Sequence, residues 1–284
     1  MKAEPFVTGL SFGEGLRWHD GRFWYSDFYK HCISSVGSGG GDVRVELAIE
    51  DQPSGLGWLP DGRLLFVAMI GQKVMRREKD GSVVLHAGLK GLAKFHANDM
   101  IVDGRGNAFV GCFGFDLDKF VAEHGAAALW SGDGPPRAPI MRVTPDGKAS
   151  VASPQNKFPN GMALVDGGKT LIAAETFGPH LTAYDLGLDG TLSNRRIWAP
   201  LTDIAPDGIC ADSEGAIWVA NALAPECVRV GEGGKILERV ETSMNAFACT
   251  LGGADRRSLV IATSQSHGGS ITGALEIARV SVPA

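Results

Sequence analysis

One pattern recurs six times along this chain, and a recurrence of this kind admits few folds. Each copy runs from a small residue through an apolar stretch to a turn built on Asp and Gly, then into a strongly β-forming segment. The copies read GLRWHDGRFWYSD from Gly15, GLGWLPDGRLLFVAM from Gly55, DMIVDGRGNAFVGC from Asp99, GMALVDGGKTLIAAE from Gly161 and GICADSEGAIWVAN from Gly208, with a weaker ACTLGGADRRSLVIAT from Ala248. The starts are 40 to 47 residues apart, except for one gap of 62 that holds an insertion, Asp116 to Pro139. β-Rich repeats of this length belong to propellers.

Each copy makes physical sense as a hairpin. DGR, DGG and SEG supply the positions that tolerate positive φ in a tight turn. Residues such as Phe23, Phe66, Phe109, Ile172, Trp218 and Val260 fill the strand that follows. Further strand-turn signals lie between the copies: KVMRREKDGSVVLHA, IMRVTPDGKASVAS, LTAYDLGLDGTLSN and CVRVGEGGKILERV. These predict the two outer strands of each blade. The expected fold is therefore all-β: a six-bladed β-propeller with four-stranded blades, one domain over residues 1–284. The alternative is a β-sandwich with accidental similarity between strands. PFVT near the N-terminus and ALEIARVSV near the C-terminus are strand-like, and one of these ends is expected to complete the last blade.

The residue just before each copy is Glu14, Ser54, Asn98, Asn160 and Asp207 in the first five, with Asn245-Ala246-Phe247 less clearly aligned in the sixth. The innermost strand of every blade lines the central channel, so equivalent positions form one ring around the axis. A single Asn or Asp before Gly reads best as a strand cap or an Asx-turn. Four oxygen-bearing side chains in register at a channel mouth read differently. Two facing carboxylates need a cation or a shared proton to offset their repulsion. Oxygen-only donors suit a hard divalent ion, Ca²⁺ first, with Mg²⁺, Mn²⁺ or Zn²⁺ as alternatives. Three protein ligands leave positions open for water and substrate.

GEGLRWHDGRFWYSD, FHANDMIVDGRGN, FPNGMALVDGGKTL, PDGICADSEGAIWVA and CTLGGADRRSLVIAT together resemble the SMP-30/gluconolactonase/LRE family of regucalcin-like lactonases. The resemblance covers nearly the full chain. It implies one divalent metal ion held by Glu14, Asn160 and Asp207, with Asn98 reaching substrate. Members hydrolyse sugar lactones, other lactones or, in distant relatives, organophosphates. Sugar-lactone members often carry Arg two residues before the Asn of the FxND segment, and here that residue is His96. The departure leaves an apolar or aromatic lactone open. The expected chemistry is metal-dependent opening of a lactone or ester, with Asp207 as general base and ligand, Glu14 chiefly a ligand, and Asn98 and His96 orienting substrate. The alternatives are a phosphotriesterase or lyase reaction on the same site, or a calcium-binding propeller without activity.

Other signals carry less. Gly168-Lys169-Thr170 resembles the end of a phosphate loop, but Ala163 stands where its first glycine is required. There is no GxSxG elbow and no HExxH. The seven histidines show no ligand spacing; His180 and His267 are at most rim residues. Trp18 and Trp58 hold matching repeat positions and read as blade packing. The insertion places Leu117, Phe120, Val121, Ala127 and Ala128 on one side of a short helix, and it reads equally as a lid over the mouth or a surface excursion. A net charge of −5 with no basic run argues against nucleic acid as a partner. No apolar run is long enough for a signal peptide or a membrane span, so no membrane association is expected. Five cysteines without a CxxC pair predict a reducing, cytoplasmic compartment.

Overall fold

A computed structural model describes residues 1–132, 134–265 and 270–284. Its strands form six four-stranded antiparallel sheets arranged as the blades of a propeller. The innermost strands are Gly13–His19, Pro53–Trp58, Ala97–Val102, Pro159–Val165, Pro206–Ala211 and Asn245–Gly252, which open blades 1 to 6 in turn. Each begins at one end of the central channel and turns back through a tight hairpin. Asp20 and Gly21 make the first of these at φ 47° and 75°, the two positive values that a right-twisting two-residue hairpin needs.

The outer-strand signals fall where the spacing put them. In blade 4 they are His180–Leu186 and Leu192–Pro200, and in blade 5 Glu226–Val230 and Ile236–Glu241. Both chain ends complete the last blade. Gly273–Arg279 is its third strand, and Glu4–Leu10 pairs antiparallel against it as the outermost strand. Closing the ring with the chain's own start ties blade 1 to blade 6, with no strand left over among the described residues.

The core lies between blades. Phe23, Phe66 and Phe109 occupy the second strands of blades 1 to 3 and are fully buried, as is Trp218 in blade 5. Burying each contributes about 1.5–3 kcal/mol. Trp18 packs on Phe23 of its own blade at 4.6 Å and lies against Gly252 of blade 6, and Trp58 of blade 2 stacks on His19 of blade 1 at 4.0 Å, so both tryptophans hold blades together. Glycine lets the inner strands come close. A Cβ on Gly161 would stand 2.5 Å from Ile209 N, and one on Gly208 would stand 2.6 Å from Ala248 Cα.

The insertion leaves blade 3 at the mouth end, because Ala97 at the start of the inner strand pairs with Cys112 at the end of the second. Asp116 caps a helix over Leu117–His124, accepting from Lys119 N at 3.0 Å. Leu117, Phe120 and Val121 pack on a cluster of Phe115, Leu129, Phe158 and Phe177. Ala127 and Ala128 do not extend that face. Gly125, at φ 78°, ends the helix, and Ala126–Leu129 forms a separate short turn that buries Leu129 and leaves Ala127 exposed.

Candidate metal centre

All six innermost pairs shift register near the channel mouth. The breaks fall between Pro53 and Leu56, Ala97 and Met100, Pro159 and Met162, Pro206 and Ile209, Ala246 and Ala248, and Glu14 and Arg17. A bulge re-aims the side chain it carries. Here the repeated bulge brings Glu14, Ser54, Asn98, Asn160 and Asp207 onto one buried ring, each 6% exposed or less.

The sixth ring position is Phe247. A Cβ on Gly208 would meet Phe247 O and Ala248 Cα, the contacts that Gly161 makes with Asp207 O and Gly208 Cα. Asn245 instead donates to Ala222 O at 3.1 Å. The ring is thus polar over five blades and aromatic at the sixth.

Hydrogen bonds fix the amides. Asn98 Nδ2 donates to Asn160 Oδ1 at 3.1 Å, and Ser54 Oγ donates to Asn98 Oδ1 at 3.4 Å. Asn160 Nδ2 donates to Thr176 Oγ1 at 3.3 Å, and that hydroxyl donates to Pro206 O at 2.8 Å. Thr176 thereby determines which way the Asn160 amide faces. The turn before Asn160 is held as well: Glu175 accepts from Lys157 N at 2.6 Å, Thr182 Oγ1 at 2.6 Å and Arg195 Nη2 at 2.5 Å. Burial pushes the Glu175 carboxyl up, but bonds from His180, Thr182 and Lys157 N hold it at about 2. Phe158, in that turn, takes φ 59°, a costly value that this anchoring sustains.

The ring carboxylates are less well supported, with Asn160 and Gly208 N bonding Asp207 and Gly15 N bonding Glu14. Burial raises Glu14 well above the usual range, and the charges of Asp207 and Asp99 raise it further. Burial and Asp99 do the same to Asp207. Among the described residues, Glu14 Oε2 accepts a 3.2 Å bond from Gly15 N, and Asp207 Oδ1 is buried with no hydrogen-bond partner. Two crowded carboxylates and an orphaned buried oxygen are what a cation would satisfy. Among the described residues, no three His, Cys, Asp or Glu side chains stand close enough to hold a metal between them. A cation here would rest on two carboxylates and the oxygen of Asn160, so the donor set fits a hard divalent ion.

His96 sits two residues above Asn98 at the mouth, stacked on Phe95 at 4.1 Å and edge-on to Phe113 at 5.9 Å. Burial pushes its imidazole pKa down, which favours the neutral ring. His180 lies against Glu175 (Nε2 to Oε1, 3.4 Å), and His267 lies outside the described residues. Aromatic rings crowd the mouth on two sides: Phe12 with Phe28 and Phe247, at 5.4 and 4.7 Å, and Phe158 with Phe113 and Phe177, at 4.7 and 4.8 Å.

Residues 12–265 match the SMP-30/gluconolactonase/LRE-like region. The chain belongs to that family. Regucalcin of Bos taurus is 28% identical over 197 residues, covering 67% of this chain and 62% of that protein. Regucalcin of Gallus gallus is 27% identical over 176 residues, covering 60% and 55%. The match thus spans about three fifths of the length of these relatives. A gluconolactonase from Xanthomonas campestris superposes with a TM-score of 0.75 at 23% identity, covering 98% of this chain and 88% of that one. A calcium-binding regucalcin from Agrobacterium tumefaciens gives 0.80 at 19%, covering 100% and 96%. At these identities the structures establish the shared propeller.

Family membership and fold were both readable from the repeats. Three residues beside the ring were not. Thr176 has no counterpart signal in the other copies, whereas Glu175 did: Asp27 and Asn221 end the same strand in blades 1 and 5 and accept from the turn before the ring, at Phe12 N and Ala205 N. Asp99 had one: it stands where four other copies begin with Gly.

Proposed function

We propose that this protein is a divalent-metal-dependent hydrolase that opens the ring of a lactone bearing an apolar or aromatic substituent. The observation that carries the reading is the buried Glu14–Asp207 pair with an unpartnered Asp207 Oδ1. Glu14, Asn160 and Asp207 would hold the ion, Ca²⁺ first by its oxygen donors. When bound, such an ion supplies Lewis acidity at the ester carbonyl and acidifies water.

The chain's own groups do the rest. Asp207 takes the proton of the attacking water as its oxygen adds to the carbonyl carbon. The bond from that carbon to the ring oxygen then breaks, and the departing oxygen receives the proton from Asp207. Asn98, tied to Asn160, and neutral His96 orient the substrate. The half-buried rings of Phe95 and Phe113, backed by the buried Phe12, Phe158 and Phe247, supply apolar surface at the mouth, which suits a hydrocarbon substituent better than a polyhydroxylated one. The helix Leu117–His124, packed on the Phe158 cluster, acts as the lid over this surface. Five free cysteines support a cytoplasmic location. No helix among the described residues is long and apolar enough to cross a membrane.

The test is a panel of aryl, alkyl and sugar lactones assayed with and without chelator, with product masses recorded. The reading expects metal-dependent gain of one water, fastest for the apolar members. Turnover that survives chelation, or a ring-opened product without added water, would remove it; the second result points to a lyase.

A further inference from the structure

We propose that Arg17 is a positioning residue of the metal centre: it reaches from blade 1 to blade 3 beneath the ring, claims the carboxylate of Asp99, and sets the site's net charge to match a divalent ion. The inference rests on the metal reading above and adds a residue that holds no ligand position.

The residue after the ring position is Gly in blades 1, 2, 4 and 5, because adjoining inner strands leave no room for a side chain. A Cβ on Gly15 would stand 2.4 Å from Ser54 O. Blade 3 breaks this rule with Asp99, which is only 2% exposed. A buried carboxylate needs a partner. Arg17 provides it: Nη2 donates to Asp99 Oδ1 at 3.1 Å and also to Met100 O, while Nη1 donates to Leu16 O at 2.7 Å. The guanidinium is therefore pinned by acceptors on two blades. It borders a cavity of about 220 Å³ lined by Leu16, Ile101, Met162 and Thr250, residues of four inner strands beyond the ring.

Glu14 feels Asp207 and Asp99 as like charges and Arg17 as the opposing one. With Glu14 and Asp207 ionised, as a bound cation requires, Glu14, Asp99 and Asp207 count three negative charges and Arg17 one positive, leaving two negative. A divalent ion cancels that count. The orphaned Asp207 Oδ1 marks where the missing charge belongs. A guanidinium that merely stapled blade 1 to blade 3 would leave the ion preference alone.

The experiment compares Ca²⁺ and Tb³⁺ binding, by calorimetry and terbium luminescence, in the wild type, Arg17→Met, Arg17→Lys and Asp99→Asn. Interaction energy scales with ionic charge, so removing the guanidinium should tighten Ca²⁺ about tenfold and Tb³⁺ about thirtyfold. The Tb³⁺/Ca²⁺ ratio then rises about threefold. Arg17→Lys should keep the wild-type ratio. Asp99→Asn should weaken both ions and lower the ratio, and it decides the matter if Arg17→Met does not fold. An unchanged ratio in folded Arg17→Met, or in Asp99→Asn, overturns the assignment. A wild type that binds neither ion overturns the metal reading itself.

Discussion

Replacing Asp207 with Asn tests the centre through stability as well as turnover. The substitution keeps the side chain's shape and removes one of the ring's two buried carboxylates, Glu14 and Asp207. Without metal, that carboxylate is a liability, since burial and Asp99 both oppose its charge. The metal-free variant should therefore melt no lower than the metal-free wild type. With metal the order reverses. An ion at one hundred times its dissociation constant stabilises the native state by about 2.7 kcal/mol. A chain of 284 residues unfolds with an entropy near 0.6 kcal/mol/K, taking about 2.1 cal/mol/K per residue. The wild type should thus gain about 4–5 °C on adding metal, by the ratio of those two figures. Asp207→Asn should gain nothing, and its kcat should fall by about 10²–10⁴ with the loss of the base. Melting curves by circular dichroism, in chelator and in metal, supply the comparison. A variant that keeps the wild-type metal shift, or wild-type turnover, refutes the reasoning.

Four further outcomes follow from the same geometry. Thr176→Val removes the bond that orients Asn160 and should weaken metal binding about 10–100-fold with little change in fold, measured by calorimetry. Gly161→Ala drives a methyl into the backbone of Asp207 and Ile209 and should cost several kcal/mol in denaturant titrations, on the order of other severe backbone clashes. Glu175 is held at about 2, below the usual carboxylate value, so its contribution is full near neutral pH and fades as pH falls toward 2. Glu175→Gln should therefore cost about 3 kcal/mol at pH 7, with the gap to wild type closing below pH ~4 in acid-unfolding series. Deleting residues 117–129 should shift preference away from apolar lactones, read as kcat/KM across the panel, while metal affinity stays.

The repeats made the fold readable because each blade must solve the same problem. A tight hairpin needs Asp-Gly, and the buried second strand needs an apolar run, so Asp20-Gly21 with Phe23 is echoed by Asp61-Gly62 with Phe66. The ring was readable for the same reason, one side chain per copy at one offset. Legibility failed where blades differ. Ala248 replaces Gly in the sixth copy, which hid Phe247 and made Asn245 look equivalent. Arg17 acts on Asp99 across 82 positions of sequence, and neither its own strand nor its own copy announces that reach. Thr176 serves the local turn at Phe158, whose positive φ is unlike the matching position of other blades. The insertion's helix was visible in its apolar spacing, but Gly125 stopped it before Ala127.

The most direct measurement is an anomalous difference map from crystals grown in calcium. One peak on the propeller axis, with oxygens of Glu14, Asn160 and Asp207 at about 2.3–2.6 Å, is the predicted result. An axis without a peak at saturating calcium, or a peak held by other residues, contradicts the account.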